Sequence, residues 1–495
     1  MRAPLAALWV ALIVLIAART AWMVAALWPF EVDDAWITLR YARHLHEGLG
    51  ITWNPGEAPV EGYSNFLFVL LGAAALSAGA APLVALKAAG VLGLAAALVG
   101  VYRLGRRWLG PVGATAPVMA LAAYPGATVW AVSGMETLAF VGVATWAAVA
   151  ALRGLEAPAG TGRRWLAGAG ALVFIGALLR PEGPLIGAAL AVGLLWRGEP
   201  KRPTPRLADA AALALCFALP YAAYTAWRLW HFGVLLPNTV ACKAGYTAHP
   251  HYLVFTMAAA FGWVLLLGLW FARQRRDGRA LALALPFVLY AVTLYRVDPV
   301  LGYWNRHALA AIALALPVGV AGGVLLFSRV VTRVPAVGWE RAAALVGALV
   351  LLGTAPSQVN RARTIAAEAR GDADARAALA ERLAARLGPG DRLLVGAAGV
   401  IAWPQRAAVL DAFCLNDPAQ PALKGDPAAI ADHLMAKAPD ALVLSSADAE
   451  VLSPLDYLGV FPALVAHPDF ETRYTLDAVT PLGPDLAYFT FTRVE

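Results

Sequence analysis

Long apolar runs separated by short, arginine-bearing stretches fill the first three-quarters of the chain. They lie at residues 3–28, 66–102, 112–130, 137–152, 165–179, 184–196, 207–230, 252–272, 280–296, 307–327 and 341–357. About 20 apolar residues in a helix cross the hydrocarbon core of a bilayer, so the pattern predicts a polytopic α-helical membrane protein. The run 66–102 is awkward for a single span and reads as a short or re-entrant piece over 66–80 followed by a full span over 83–102. Several runs of 13 to 17 residues are expected to be broken or tilted helices around a cavity. The expected total is about eleven transmembrane helices. The first run has no small-residue cleavage site and is expected to persist as a span.

The pattern changes after residue 357. Residues 361–387 form a charged, alanine-rich amphipathic helix, and Gly388-Pro389-Gly390 turns the chain. Short buried-strand patterns follow at 392–396, 407–410 and 441–444, and 474–494 reads as a hairpin around Pro484. The expected organisation is a membrane part, 1–357, and a small α/β domain, 358–495, large enough for its own core.

Composition sharpens this. The chain is 60% hydrophobic and 14% charged, against about 25% charged in soluble domains, which excludes a cytosolic globular enzyme, a disordered chain and a fibre. The net charge of +7 does not mark a nucleic-acid partner, because the basic residues cluster between apolar runs. The clusters are Arg103, Arg106 and Arg107; Arg153, Arg163 and Arg164; Arg197, Lys201, Arg202 and Arg206; Arg273, Arg275, Arg276 and Arg279; and Arg329, Arg333 and Arg341. Two crossings separate each from the next, so all five share the cytoplasmic side on the positive-inside rule. Five stretches then face outward: 31–65, 133–137, 180–183, 231–252 and 296–307. Eleven crossings that start inside leave the C-terminal domain extracytoplasmic. Cys216, Cys242 and Cys414 form no zinc spacing. Cys242 and Cys414 both fall outside, and spacing leaves open whether they pair.

The first outer stretch, 31–65, carries the most chemistry. Glu31-Val32-Asp33-Asp34 opens a helix over 35–47, in which Trp36, Leu39, Ala42 and Leu45 share one face and Arg40, Arg43, His44 and Glu47 the other. This predicts an interfacial amphipathic helix lying along the membrane surface. An aspartate at a helix start is a good N-cap, which explains one of Asp33 and Asp34 but not both with Glu31 alongside. Acids at a membrane surface suggest function: a general base, or ligands for a divalent metal at Asp33 and Asp34.

Asp33-Asp34-Ala35-Trp36-Ile37-Thr38-Leu39-Arg40-Tyr41-Ala42-Arg43, Glu47-Gly48-Leu49-Gly50, Trp53-Asn54-Pro55-Gly56-Glu57 and Val60-Glu61-Gly62-Tyr63-Ser64-Asn65 resemble the first external loop of bacterial GT-C glycosyltransferases. The nearest resemblance is to the mycobacterial terminal arabinofuranosyltransferases and their bacterial relatives. Ser133-Gly134-Met135-Glu136-Thr137, Arg180-Pro181-Glu182-Gly183, Leu235-Leu236-Pro237-Asn238-Thr239 with Lys243, Trp304-Asn305-Arg306-His307 and Leu415-Asn416-Asp417 follow in the same order. Leu138 and Ala139, and Ala241-Cys242 before Lys243, depart from the pattern without removing a charge.

The resemblance implies a GT-C-like bundle in a bacterial inner membrane. It also implies a polyprenyl phosphate sugar as donor, a monosaccharide such as arabinose in pentofuranose form as the transferred group, and a cell-envelope glycan or glycolipid as acceptor. Carried onto this chain, Asp34 is the preferred general base, with Asp33 beside it. Lys243 and Arg306 take the donor phosphate, and Asn238, Glu136, Arg40, His307 and Tyr63 contact substrate. Each has a plainer reading. Lys243 and Arg306 snorkel to the interface, Arg180 and Glu182 neutralise each other, the histidines are surface residues, and Asn416-Asp417 is a turn. A transporter or flippase for a lipid-linked sugar is the alternative function; internal repeats would mark it, and none is evident in the sequence.

Overall fold

The structure is a computed structural model and describes residues 3–158, 161–195, 207–243, 251–297, 302–456, 458–483 and 486–494. The cluster Arg197, Lys201, Arg202 and Arg206 and the hairpin tip at Pro484 lie outside the described residues. Helices occupy nearly all of the apolar part. They are α1 (Ala3–Leu27), α2 (Asp34–His46), α3 (Phe66–Ser77), α4 (Pro82–Gly105), α5 (Thr115–Ala123), α6 (Pro125–Val132), α7 (Thr137–Glu156), α8 (Arg163–Leu179) and α9 (Gly183–Leu195). Then come α10 (Leu207–Phe232), α11 (Asn238–Lys243), α12 (Tyr252–Arg275), α13 (Gly278–Thr293), α14 (Leu309–Val330), α15 (Ala336–Gly353) and α16 (Ala355–Arg386).

Among the described residues, seven helices are long and apolar enough to cross a membrane, or eight when the pair α5–α6, bent by 64°, counts as one span. Pro125 explains the bend: it sits at the first turn of α6, where its missing N–H costs nothing, and it drives the residue before it into extended backbone. The run 66–102 resolves into α3, of 12 residues, and α4, of 24, matching the expected short piece and full span. Each of the other expected runs also holds a helix, but α9 and α13 are too short to span unaided.

The chain divides into two compact units, the first made of Met1–Trp28, Lys87–Ala226 and Ala248–Arg363, the second of Pro29–Leu86, Trp227–Thr247 and Thr364–Glu495. In the first unit, α7 packs on α8 and α12 on α14, and glycines let helices approach closely, Gly93 of α4 on α7 and Gly322 of α14 on α12. A Cβ on Gly93 would meet the Leu138 carbonyl at 2.3 Å, and one on Gly322 the Leu267 carbonyl at 2.4 Å, the close backbone approach typical of membrane helices. Large apolar side chains point outward, among them Leu92, Phe255, Leu266 and Leu349, as suits a surface facing lipid rather than water. At one end, Glu156 joins Arg107 (3.1 Å) and Arg279 (3.3 Å), Trp108 donates to Asp277 (2.9 Å), and the Gly110 amide donates to Glu340 (2.7 Å). The turns bearing four of the five basic clusters therefore meet at one end of this unit.

The second unit is built on a five-stranded sheet: β1 (Arg392–Val395), β2 (Ala408–Asp411), β3 (Ala441–Ser446), β4 (Tyr474–Gly483) and β5 (Leu486–Arg493), in the order β2-β1-β3-β5-β4. The pairs β1–β2 and β1–β3 are parallel, and β3–β5 and β4–β5 antiparallel. Buried runs in β1 and β3 are what a central parallel strand requires. One core, with Leu394, Leu442, Leu444, Leu434, Phe461 and Phe491, fills one side. The other side belongs to a core that joins Leu393, Val395 and Val443 to Tyr41, Trp53, Tyr63 and Val69 of the outer stretch. A disulfide between Cys242 and Cys414, with Cα atoms 6.0 Å apart, closes the question that spacing left open.

Candidate functional site

Two clusters carry the chemistry, one in each unit. In the first unit, the break after α6 and the turn after α8 bring Glu136 and Arg180 together. Gly134, in left-handed backbone (φ 81°), and the Ser133 hydroxyl, which accepts from the Met135 amide (3.1 Å), shape the turn that aims Glu136 inward. Arg180 donates to Glu136 (2.6 Å) and forks Glu182 (3.2 and 2.8 Å). Its Nη2 also donates to His307 Nδ1 at 2.8 Å. Arg306 donates to Thr137 (3.1 Å) and Glu136 (3.3 Å) and lies over the Trp130 ring at 4.7 Å. Two carboxylates thus face two guanidiniums, and Glu136 is 1% exposed. Burial of such charges is tolerable because each is paired and hydrogen-bonded. Of the expected residues, this cluster unites Glu136, Arg306 and His307. Among the described residues the Nη1 of Arg306 has no hydrogen-bond acceptor.

The second unit holds Asp33, Asp34, Arg40, Tyr63, Asn238 and Lys243. The Asp33 side chain does not cap α2; its Oδ2 accepts from the Gly399 amide (2.9 Å) and its Oδ1 from the Val400 amide (3.0 Å). Asp34 begins α2, half-buried. The polar face of α2 is not turned wholly outward: Glu47 is exposed and Arg43 half-buried, but Arg40 and His44 are buried. Arg40 is 1% exposed and donates to the carbonyls of Trp53, Ala402, Gln405 and Ala407. His44 Nδ1 donates to the Thr52 carbonyl at 2.9 Å, and burial, with Arg40 beside it, lowers its pKa to about 4. A helix face satisfied by carbonyls reads in sequence like one satisfied by water.

Arg40 therefore serves the fold, holding the outer stretch to the C-terminal domain through the carbonyls its guanidinium fork reaches. Tyr63 is buried edge-on to Tyr41, with centroids 4.9 Å apart. Asn238 donates to the carbonyls of Cys414, Leu415 and Asp417 (2.8, 3.1 and 3.0 Å), so its side-chain amide is also spent within the fold. Lys243 ends α11, next to the disulfide-bonded Cys242. Asn416-Asp417 is the turn that sequence favours, closed by the Asp417 amide on the Cys414 carbonyl (3.1 Å). Among the described residues no three His, Cys, Asp or Glu side chains converge on a metal position, and both Asp33 oxygens already hold amides.

Sequence reasoning missed one buried pair. Glu61, 1% exposed, receives Arg228 through Nε (2.9 Å) and Nη2 (2.7 Å). The signal was a glutamate between apolar Val60 and Gly62-Tyr63, a position that needs a cation.

The chain is similar over its whole length to solved structures. ArnT from Cupriavidus metallidurans bound to undecaprenyl phosphate matches with TM-score 0.61 and 14% identity, over 97% of this chain and 97% of that one. The archaeal oligosaccharyltransferase AglB from Archaeoglobus fulgidus, in complex with an inhibitory peptide and a dolichol-phosphate, matches with TM-score 0.54 and 12% identity, over 95% of this chain and 79% of that one. The fold is GT-C. Arabinofuranosyltransferase AftD from Mycobacteria matches with TM-score 0.53 and 16% identity, over 96% of this chain and 41% of AftD. In sequence, a domain of unknown function (DUF8728) matches residues 363–489. No curated protein matches the chain. The GT-C fold is that of a multi-pass membrane protein, in agreement with the apolar helices.

Proposed function

We propose that this chain is a membrane glycosyltransferase that moves one monosaccharide, a pentofuranose such as arabinose, from a polyprenyl phosphate donor to a cell-envelope glycan or glycolipid. The observation that carries the reading is the likeness, over 97% of both chains, to a structure that holds undecaprenyl phosphate. In this reading, carried over from the resemblance, Asp34 serves the acceptor, and Arg306 and Lys243 serve the donor phosphate. Asp34 takes the proton of an acceptor hydroxyl, and that oxygen bonds to the anomeric carbon. The bond from that carbon to the phosphate oxygen breaks, and the electron pair leaves with the phosphate. Arg306, through its Nη1, and Lys243 offset the charge that gathers on the leaving group.

The Cys242–Cys414 disulfide supports an oxidising compartment for the second unit, hence an extracytoplasmic C-terminal domain on an inner-membrane protein. The test is sugar transfer in vesicles from defined polyprenyl phosphate sugars. Asp34→Asn is expected to lower kcat about 10²- to 10⁴-fold, the usual worth of a general base. Full transfer by the folded variant would remove Asp34 from the mechanism. Passage of the donor between leaflets without any transfer by the wild type would replace the enzyme with a flippase.

A further inference from the structure

We infer that the C-terminal domain is the holder of the acidic loop, and that Asp33 is a positioning residue that plugs into it. This rests on the glycosyltransferase reading for its catalytic meaning, but the holder itself stands on contacts within the second unit.

Three ties make the case. The first is Asp33. The Gly399 and Val400 amides that bind its two oxygens open the helical turn after β1, in which the Trp403 amide returns to the Gly399 carbonyl (3.0 Å). Such a turn presents its first N–H groups outward with no partner of its own, and a carboxylate supplies what they lack. A Cβ on Gly399 would stand 2.0 Å from the Asp33 carbonyl oxygen and 2.5 Å from its carboxylate, so only glycine admits this approach. The second tie is at the sheet edge. β2 is an outer strand, and Asn54 takes the place of a further strand: its Oδ1 accepts from the Val409 amide (2.9 Å) and its Nδ2 donates to the Val409 carbonyl (3.1 Å). The third lies beyond β2, where the Tyr41 hydroxyl sits between the Val60 carbonyl (2.8 Å) and Asn416 Oδ1 (3.0 Å), and a Cβ on Gly62 would stand 1.8 Å from Asn416 Oδ1.

All three ties lie along β2 or just beyond the carboxyl ends of β1 and β2. In open sheets with parallel strands, that is where a ligand is usually received. Here the chain's own loop fills the place, with Asp33 standing where an anion would. A carboxylate with both oxygens on backbone amides is committed to its anchor. Asp34, the next residue and the start of α2, is the acid whose position the anchor sets. This divides the adjacent acids into an anchor and a base, in line with the preference for Asp34 that the resemblance gave, and gives Asp33 a role of its own.

The experiment uses the full-length chain in lipid nanodiscs, as wild type, Asp33→Asn and Gly399→Ala. The change Asp33→Asn leaves one acceptor oxygen where two are used, and Gly399→Ala pushes the Asp33 carboxylate off the turn. Hydrogen exchange across 399–405 is expected to quicken about 10- to 100-fold in both variants, the worth of a hydrogen bond to a charged group, while the amides of β3 and β5 keep their wild-type rates. Unchanged exchange at 399–405 in both variants would overturn the anchor. In transfer from polyprenyl phosphate arabinose, both variants are expected to lose about 10- to 100-fold in kcat yet keep the acid limb of the pH profile, with the double variant no worse than the poorer single. Loss of that limb in Asp33→Asn, with folding intact, would make Asp33 the base and overturn the assignment. Quickened exchange without transfer from any polyprenyl phosphate sugar, in wild type as well, would leave the holder standing and sink the enzyme reading alone.

Discussion

Removing the guanidinium opposite Glu61 is the sharpest probe of how the second unit is held. Arg228 is 4% and Glu61 1% exposed, and the pair is bidentate at 2.9 and 2.7 Å, with a further bond from Arg228 Nη1 to the Leu235 carbonyl (2.9 Å). Arg228→Met preserves most of the buried stem but leaves the carboxylate desolvated without its cation. Breaking a buried pair on one side costs about 3–5 kcal/mol, mostly as the penalty on the charge left behind. Glu61→Gln added to Arg228→Met removes that charge, so the double variant should recover about half or more of the loss. In a unit of roughly 200 residues, 1 kcal/mol shifts the midpoint by about 2–4 °C, so Arg228→Met should melt about 6–20 °C lower. The assay is intrinsic-fluorescence melting of the purified chain in detergent at one fixed scan rate, since unfolding of such proteins is commonly irreversible. A shift under 2 °C for Arg228→Met, or a double variant no more stable than it, would refute the claim that this pair is desolvated and mutually dependent.

Two other outcomes follow from the same unit. The Cys242–Cys414 disulfide spans a sequence separation of 172, and closing a loop of that length in a free coil is worth about 5 kcal/mol. Because the enclosed chain keeps its membrane helices when the tail opens, Cys414→Ser should cost less, about 2–4 kcal/mol, and should expose 412–420 to limited proteolysis; an unchanged cleavage pattern counts against it. Asp411 is fully buried, and desolvation raises its pKa to about 6 despite amide donors from Phe413 and Asn416. A carboxyl whose folded value lies above its unfolded value near 4 takes up a proton on folding, so stability is gained as pH falls from about 7 towards 4 and lost as it rises. The stability of wild type relative to Asp411→Asn should therefore grow by about 3 kcal/mol across that window; a flat or opposite trend in paired melting curves would contradict the shift.

The spans, the strands and the hairpin were legible because each answers a local demand. A membrane helix satisfies its own backbone bonds within one run of sequence, and a buried strand shows as an apolar run between turns. The Arg180–Glu182 pair was legible for the same reason, two charges two residues apart. What sequence left undecided depends on groups distant along the chain. Glu136 meets Arg180 and Arg306 across 44 and 170 residues, and Asp33 meets Gly399 and Val400 across 366 and 367. Arg40 and His44 have the same periodicity whether their hydrogen-bond partners are water or the carbonyls of another segment, so only tertiary packing decided that these two are buried. The pairing of Cys242 with Cys414 is of the same kind, because a spacing says nothing about which turns the fold brings within 6.0 Å. Composition and periodicity determined that this chain lives in a membrane and carries acids beyond its first helix. The packing of the loop on the C-terminal sheet decided which acid is held, since hydrogen bonds act over ångströms and a sequence records only order.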